Sequence, residues 1–278
     1  MDKKTSQESS KSIGLIAGQG MLPRIIAEDA RKNGYRVVAV ALSGLADGSE
    51  KDYAHVLKRI NAGKVNSVLG FLRDNGVTEA VFAGKVPKSM LYDGTVIPDF
   101  RALGLLKKIV DQRDDTIIDT IVSEFEREGI KFLDMKEFCS DLLTPEGKLT
   151  NRGPSRSESR DIEFGFKMAK EVGRLDIGQT VVVKDRAVMA VEAIEGTDEA
   201  IKRGGALAKE GAVVVKVSRP GQDMRFDVPV VGLDTLEALV QAKARVLALE
   251  AHKSIFLARD AFISGAEEAG ISIVGVAG

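Results

Sequence analysis

A single cysteine, Cys139, in 278 residues excludes an internal disulfide and a thiolate metal cluster. Two histidines, His55 and His252, are too few for a histidine-based zinc site. Tryptophan is absent and aromatics make up 5% of the chain, which leaves no base-stacking platform for nucleic acid. Charge of one sign is lacking too: 40 Lys and Arg against 41 Asp and Glu give a net charge of −1, excluding the broad basic field of a dedicated nucleic-acid binder. No stretch reaches the roughly 18–20 uninterrupted apolar residues that a membrane helix needs. The first apolar run, Ile13–Ala17 after Lys3 and Lys4, is cut by Gly18-Gln19-Gly20 and is too short for a secretory signal. What is present is 44% hydrophobic and 29% charged residues, enough for a packed core and a solvated surface. The expectation is a cytoplasmic α/β protein with a polar, disordered tail over 1–12.

The pattern along the chain alternates strands and helices. Ile13–Ala17, Arg36–Leu42 and Thr78–Ala83 are short apolar or β-branched runs, and Leu22–Asn33 and Lys64–Asn75 are helical stretches, each followed by glycine. This order predicts a right-handed parallel α/β layer. Helices over Arg101–Val110 and Thr116–Glu128 and a strand over Ile130–Asp134 follow. From Ser140 to Ser159 the pattern dissolves into Thr, Pro, Gly, Asn, Arg and Ser, which predicts a linker over 140–158 between domains at 13–139 and 159–278. The second half reads as a helix at Ser159–Glu171 and a hairpin of Thr180–Lys184 with Ala187–Ala193 around Asp185-Arg186. Helices near Thr197–Arg203, Asp234–Ala242 and Arg259–Ala269 then alternate with strands at Ala212–Val217, Arg245–Leu249, Ser254–Ala258 and Ile271–Val276. The predicted architecture is two α/β domains, the first a Rossmann-like parallel sheet.

Several segments carry chemistry. Gly18-Gln19-Gly20-Met21 lies between a strand and a helix, where glycines and free helix-start amides suit a phosphate. Pro23 stands where a dinucleotide fingerprint has its third glycine, and Val40-Ala41-Leu42-Ser43 offers no ribose-binding acid about 20 residues on, so a nicotinamide dehydrogenase is disfavoured. A bare strand-to-helix turn explains the same glycines sterically. Gly84-Lys85 falls at the corresponding strand end, but Glu79 breaks the P-loop pattern. Glu195-Gly196-Thr197-Asp198 opens a helix, with Thr197 as its expected N-cap and the amides there available to a phosphoryl oxygen. In Arg219–Pro229 two carboxylates, Asp223 and Asp227, and two arginines, Arg219 and Arg225, crowd one loop. Asp227, just before Val228-Pro229-Val230-Val231, is expected to be partly buried and to need a cation, either Mg²⁺ or a structural partner such as Arg225. No Ser-His-Asp context, Gly-x-Ser-x-Gly or His-Glu-x-x-His is present.

Ile13–Pro23 (IGLIAGQGMLP), Phe82–Val86 (FAGKV), Glu124–Gly129 (EFEREG), Gly173–Gln179 (GRLDIGQ), Val191–Asp198 (VEAIEGTD) and Pro220–Pro229 (PGQDMRFDVP) occur in this order. Together they resemble the LpxI family, the UDP-2,3-diacylglucosamine pyrophosphatases of lipid A synthesis. Gln19 stands where family members often show glycine, and Val228 where many have leucine. The resemblance implies an Mg²⁺-dependent hydrolase that splits UDP-2,3-diacylglucosamine into UMP and 2,3-diacylglucosamine 1-phosphate (lipid X). It implies a uridine-nucleotide-binding N-terminal domain, a C-terminal domain for the acylated sugar phosphate, and Asp227 as catalytic residue and metal ligand. The predicted substrate contacts are Gly18, Gln19, Gly20, Met21, Gly84, Lys85, Gln179, Glu195, Gly196, Thr197, Asp198, Gln222, Asp223 and Arg225. The acylated substrate implies work at the inner face of a membrane, with no nucleic-acid partner and with a homodimer as a compatible state. The alternative is a sugar-nucleotide or dinucleotide-binding module without hydrolase activity.

Overall fold

The computed structural model describes residues 11–45, 48–86, 90, 94–107, 114–226 and 228–278, with the side chains of 114–117 excepted. The tail 1–10, the expected helix end at 108–110 and Asp227 lie outside the described residues. The chain divides into two compact units, Met1–Cys139 and Ser140–Gly278.

In the first unit, β1 (Ser12–Ala17), α1 (Leu22–Lys32), β2 (Arg36–Leu42), α2 (Glu50–Tyr53), β3 (Val56–Ile60), α3 (Val65–Asp74) and β4 (Glu79–Ala83) are followed by α4 (Phe100–Leu106), α5 (Asp114–Arg127) and β5 (Lys131–Phe132). The strands form one parallel sheet in the order β3-β2-β1-β4-β5. β1 and β2 are buried nearly throughout, which is why both read as continuous apolar runs rather than alternating ones. Strand order reverses between β1 and β4, so the crevice at their carboxyl ends is the place where such sheets take ligands. The sequence reading missed β3, because Lys58 and Arg59 interrupt its apolar pattern; it is an edge strand and those side chains face solvent.

The second unit contains β6 (Gly147–Lys148), α6 (Arg156–Arg174), β7 (Thr180–Lys184), β8 (Ala187–Val191), α7 (Thr197–Ala208), β9 (Val213–Lys216) and β10 (Val230–Val231). α8 (Leu233–Gln241), β11 (Val246–Glu250), β12 (Ile255–Phe256), α9 (Arg259–Glu268) and β13 (Ser272–Val276) complete it. Its main sheet runs β6-β13-β11-β9-β7-β8, with β13, β11 and β9 parallel and β7 antiparallel to both β9 and β8. β10 and β12 make a separate parallel pair.

Residues 140–158 are part of this unit rather than a linker. β6 pairs antiparallel with β13, the Thr144 amide donates to the Ser254 carbonyl at 2.8 Å, and the Arg152 guanidinium donates to Ser272 Oγ at 2.6 Å. Proline, glycine and serine mark turns here, and the two-residue β6 is too short to show periodicity. α6 starts three residues earlier than expected, on a reciprocal capping box between Ser155 and Glu158. The Asp185-Arg186 hairpin forms as expected: both residues have positive φ (51° and 58°), and the buried Asp161 carboxylate accepts their two amides.

Side chains alternate across the central strands and split the core in two. Val214, Leu247 and Leu249 face α7 and α8, with Ile201, Leu239 and Phe262. Val213, Val215, Val246 and Ala248 face α6, with Ile162 and Ala169. This alternation fixes which polar residue emerges on which face at the carboxyl edge.

Candidate active site

At the first unit's switch point, the turns after β1 and β4 are bound to each other. The Gly18 amide donates to the Ala83 carbonyl at 2.8 Å, and Gln19 and Lys85 exchange backbone hydrogen bonds at 2.9 Å. A Cβ on Gly18 would lie 2.7 Å from the Lys85 oxygen, and one on Gly84 2.6 Å from the Gln19 oxygen. These glycines therefore allow two backbones to meet, and the amides of Gly18 and Gln19 are not available to a phosphate as the sequence suggested. The amides of Gly20, Met21 and Leu22 have no acceptor among the described residues, and no Cβ contact lies within 4 Å of Gly20. Pro23 stands in the first turn of α1, and Met21 and Lys85 are exposed at the same edge.

The second unit gathers more chemistry at one sheet edge. β7 runs opposite to β9, so the start of β7 (Gln179, Thr180) lies beside the end of β9 (Lys216), with Thr180 and Lys216 directly paired. β8 ends at the same edge and continues to Glu192 and the EGTD segment. On the α7 face, Lys216 Nζ donates to Thr197 Oγ1 at 2.6 Å, and Thr197 donates to Glu192 Oε1 at 2.9 Å. On the α6 face, the fully buried Glu250 carboxylate receives Lys170 Nζ at 2.6 and 2.7 Å and the amide and hydroxyl of Ser218 at 2.8 and 2.9 Å. Burial alone would raise the Glu250 pKa, but Lys170 and Ser218 outweigh it and hold the carboxyl below its ordinary range.

Beyond β9 the chain makes a tight turn over Arg219-Pro220-Gly221-Gln222. Proline and a positive-φ glycine (80°) occupy its central positions, as a type II turn requires. Gln222 Oε1 accepts the Arg219 amide at 2.8 Å, and the buried Gln222 Nε2 has no partner among the described residues. Arg219 is buried and paired with Asp176. Gln179 Oε1 is a second buried polar atom without a partner among the described residues. Asp223 and Arg225 form a multidentate pair, with Arg225 also stacked 5.0 Å from the Phe226 ring. Burial raises the Asp223 pKa, and Arg225 more than reverses that.

The EGTD residues divide by role. Gly196, with φ 86°, is the N-cap of α7 in place of Thr197, whose hydroxyl is committed to Lys216 and Glu192. Glu195 is tied to Arg203, and Asp198 accepts from Thr235 at 3.0 Å. The Glu195 carboxyl lies below its ordinary range because of its local backbone amide and Arg203.

Gln179 and Glu195–Asp198 lie at this edge, and Gln222, Asp223 and Arg225 follow in the loop that leaves β9. Lys216, Thr180, Glu192, Lys170, Ser218 and Glu250 were missed. The signal for Lys216 was a lone cation inside Val213-Val214-Val215-Lys216-Val217, a run that otherwise reads as a fully buried strand. Asp227 follows this loop, outside the described residues. No group of three His, Cys, Asp or Glu side chains among the described residues is placed to hold a metal. No helix among them is long and apolar enough to cross a membrane.

Comparison with known proteins agrees with this division. Residues 12–142 match the LpxI N-terminal domain and residues 145–274 the LpxI C-terminal domain. The chain is 30% identical over 277 residues to the UDP-2,3-diacylglucosamine pyrophosphatase LpxI of Caulobacter vibrioides, covering 96% of this chain and 98% of that protein. Among solved structures, glycinamide-RNase-transformylase T from Mycobacterium tuberculosis aligns with a TM-score of 0.28 and 12% identity, over 66% of this chain and 44% of that one. N5-carboxyaminoimidazole ribonucleotide synthetase from Thermotoga maritima gives 0.29 and 15%, over 67% and 43%. This chain therefore spans less than half the length of either structure. Both domain models together account for nearly all of the sequence beyond the tail, and the chain belongs to the LpxI family.

Proposed function

We propose that the chain is a UDP-2,3-diacylglucosamine pyrophosphatase that hydrolyses its substrate to UMP and 2,3-diacylglucosamine 1-phosphate. The full-length match to a relative of that name carries the reading. The second unit's sheet edge supports it chemically. The uncommitted donors there, Gln222 Nε2 and the amides at the start of α7, suit the oxygens of a phosphoanhydride. The first unit is assigned the uridine nucleotide, at the amides of Gly20 and Met21 with Lys85 as a point charge; the second is assigned the acylated sugar phosphate.

The donor set at the edge also bears on Mg²⁺. Glu192, Glu195, Asp198, Asp223 and Glu250 are each engaged by a hydroxyl or a cationic side chain, which leaves the described residues without a ligand cluster. That arrangement fits a cation held by one protein carboxylate and several phosphate oxygens, a coordination Mg²⁺ commonly adopts. Asp227 would be that carboxylate. When bound, Mg²⁺ would supply charge neutralisation and polarisation of the pyrophosphate.

Water would attack in line on the phosphorus nearer the sugar, breaking its bond to the bridging oxygen, which leaves with UMP. The chain's own contribution is orientation and charge stabilisation. Amides at Gly196–Asp198 and the Gln222 side chain would hold the phosphoryl oxygens, while Arg225, fixed by Asp223, adds positive potential. The two acyl chains place the reaction at a membrane surface, since each buried CH₂ contributes about 0.8 kcal/mol and exposed chains would partition into lipid.

UMP release from the acylated sugar nucleotide, measured with Mg²⁺ and with EDTA, tests this reading. We expect release with Mg²⁺, its loss with EDTA, and a fall of at least about 10²-fold in Asp227→Ala with substrate binding retained. Release unaffected by chelation would remove the metal. Substrate binding without any release would favour the non-catalytic sugar-nucleotide-binding module.

A further inference from the structure

We propose that Lys216 is a catalytic residue of this site, its buried ammonium binding a phosphoryl oxygen of the pyrophosphate. The assignment rests on the pyrophosphatase reading for its substrate, though its geometry stands independently.

Lys216 is the last residue of β9, and strand alternation places it on the same face as Val214, above the core formed with α7 and α8. It is only 5% exposed, in a position where the pattern calls for an aliphatic side chain. Its only hydrogen-bond partner among the described residues is a neutral oxygen, Thr197 Oγ1. No carboxylate among them lies within ion-pairing distance; Glu192 is reached only through the threonine hydroxyl. A desolvated ammonium with one neutral acceptor has two N–H donors still to satisfy, and its burial is costly unless an anion completes the site.

The surroundings select the anion. Thr197 is the first residue of the twelve-residue helix α7, so the ammonium lies beside that helix's N-terminal amides. The loop leaving β9 carries Gln222, more than nine-tenths buried, whose Nε2 also lacks an acceptor among the described residues. Unsatisfied N–H donors on a buried cation beside a helix N-terminus match an oxyanion better than a sugar hydroxyl or an apolar group. Because Thr197 accepts from Lys216, its own proton is directed to Glu192. The relay fixes the ammonium without neutralising it, which preorganises the charge for a phosphoryl group that gains negative charge in the transition state. Thr197 and Glu192 are then positioning residues.

The test uses Lys216→Met, close in volume and without charge, with Lys216→Arg as the charge-conserving control. Two readouts are taken on the full chain: kcat and KM for UMP release, and the Kd of inorganic pyrophosphate by calorimetry. We expect Lys216→Met to lose about 10²–10³-fold in kcat, to bind pyrophosphate at least about tenfold more weakly, and to melt no lower than wild type because a buried charge has been removed. Lys216→Arg should retain most of the pyrophosphate affinity. If the methionine variant does not fold, Lys216→Gln reads the same losses. A neutral variant that turns over within about threefold of wild type, or binds pyrophosphate equally well, overturns the assignment while leaving the hydrolase reading intact. Wild type that releases no UMP, yet loses pyrophosphate affinity on Lys216→Met, would overturn the hydrolase reading and leave the anion site standing.

Discussion

Lys170→Met should destabilise the second unit strongly, and a second substitution should reverse the loss. Glu250 ends β11 with its side chain fully buried, and Lys170 Nζ contacts both carboxylate oxygens. Removing the lysine leaves a buried carboxylate with the two Ser218 donors and with Lys253 at 3.2 Å, half exposed. Breaking a buried pair from one side costs about 3–5 kcal/mol; the surviving Ser218 bonds place this case near the lower end. The pH dependence has a definite sign. Glu250's folded pKa lies below its unfolded value, so its contribution is present above about pH 4.5 and is lost as pH falls through the folded value. In Lys170→Met the carboxyl loses the ammonium that opposed its burial and takes up a proton more readily than in wild type. The deficit is therefore largest near neutrality and shrinks in acid. Replacing both partners with apolar residues, Lys170→Met with Glu250→Leu, removes the stranded charge and should recover most of the loss. With no tryptophan in the chain, urea unfolding at pH 7 and pH 4 is followed by far-UV circular dichroism. A single-variant loss below about 1 kcal/mol at pH 7, or a double variant no better than the single, would refute the reasoning.

Gly84→Ala places a Cβ 2.6 Å from the Gln19 carbonyl at a φ of 90°, and should cost about 1–3 kcal/mol of stability in thermal unfolding; an unchanged midpoint would mean the two turns separate freely. Cys139 is buried, its thiol pushed up to about 11 chiefly by burial, and it donates to the Met135 carbonyl. It should resist a thiol reagent at pH 8 in the native protein and react on unfolding, so rapid native labelling contradicts its placement. His55 Nδ1 accepts the Val37 amide, and burial together with Arg31 and Arg36 lowers its pKa below 6.5. Its bond to β2 is thus kept above that pH and lost as pH falls through the folded value; an NMR titration midpoint at or above 6.5 would contradict this.

The parallel core was legible because buried strands leave unbroken apolar runs: β1, β2, β9 and β11 each stand out in the sequence. Edge elements were less visible. β3 mixes exposed Lys58 and Arg59 with its apolar residues, and the two-residue β6 looks like linker until β13 lies beside it. Polar chemistry was legible where charge was crowded into a loop, as at Arg219–Pro229, and hidden where one charged residue ended an apolar run, as with Lys216 and Glu250. Their partners Thr197 and Lys170 come from different helices, so only the folded sheet brings them together. The Gly18–Gly20 turn shows the opposite failure. Glycine permits both a phosphate and a second backbone to approach, and at Gly18 and Gly84 the structure uses it for the backbone.

Hydrolysis of the acylated UDP-sugar in ¹⁸O-labelled water, with both products weighed by mass spectrometry, tests the central claim most directly. Water attack on the phosphorus nearer the sugar predicts unlabelled UMP and a sugar 1-phosphate carrying one heavy oxygen. Label in UMP would contradict the direction of attack, and the absence of both products would contradict the activity itself.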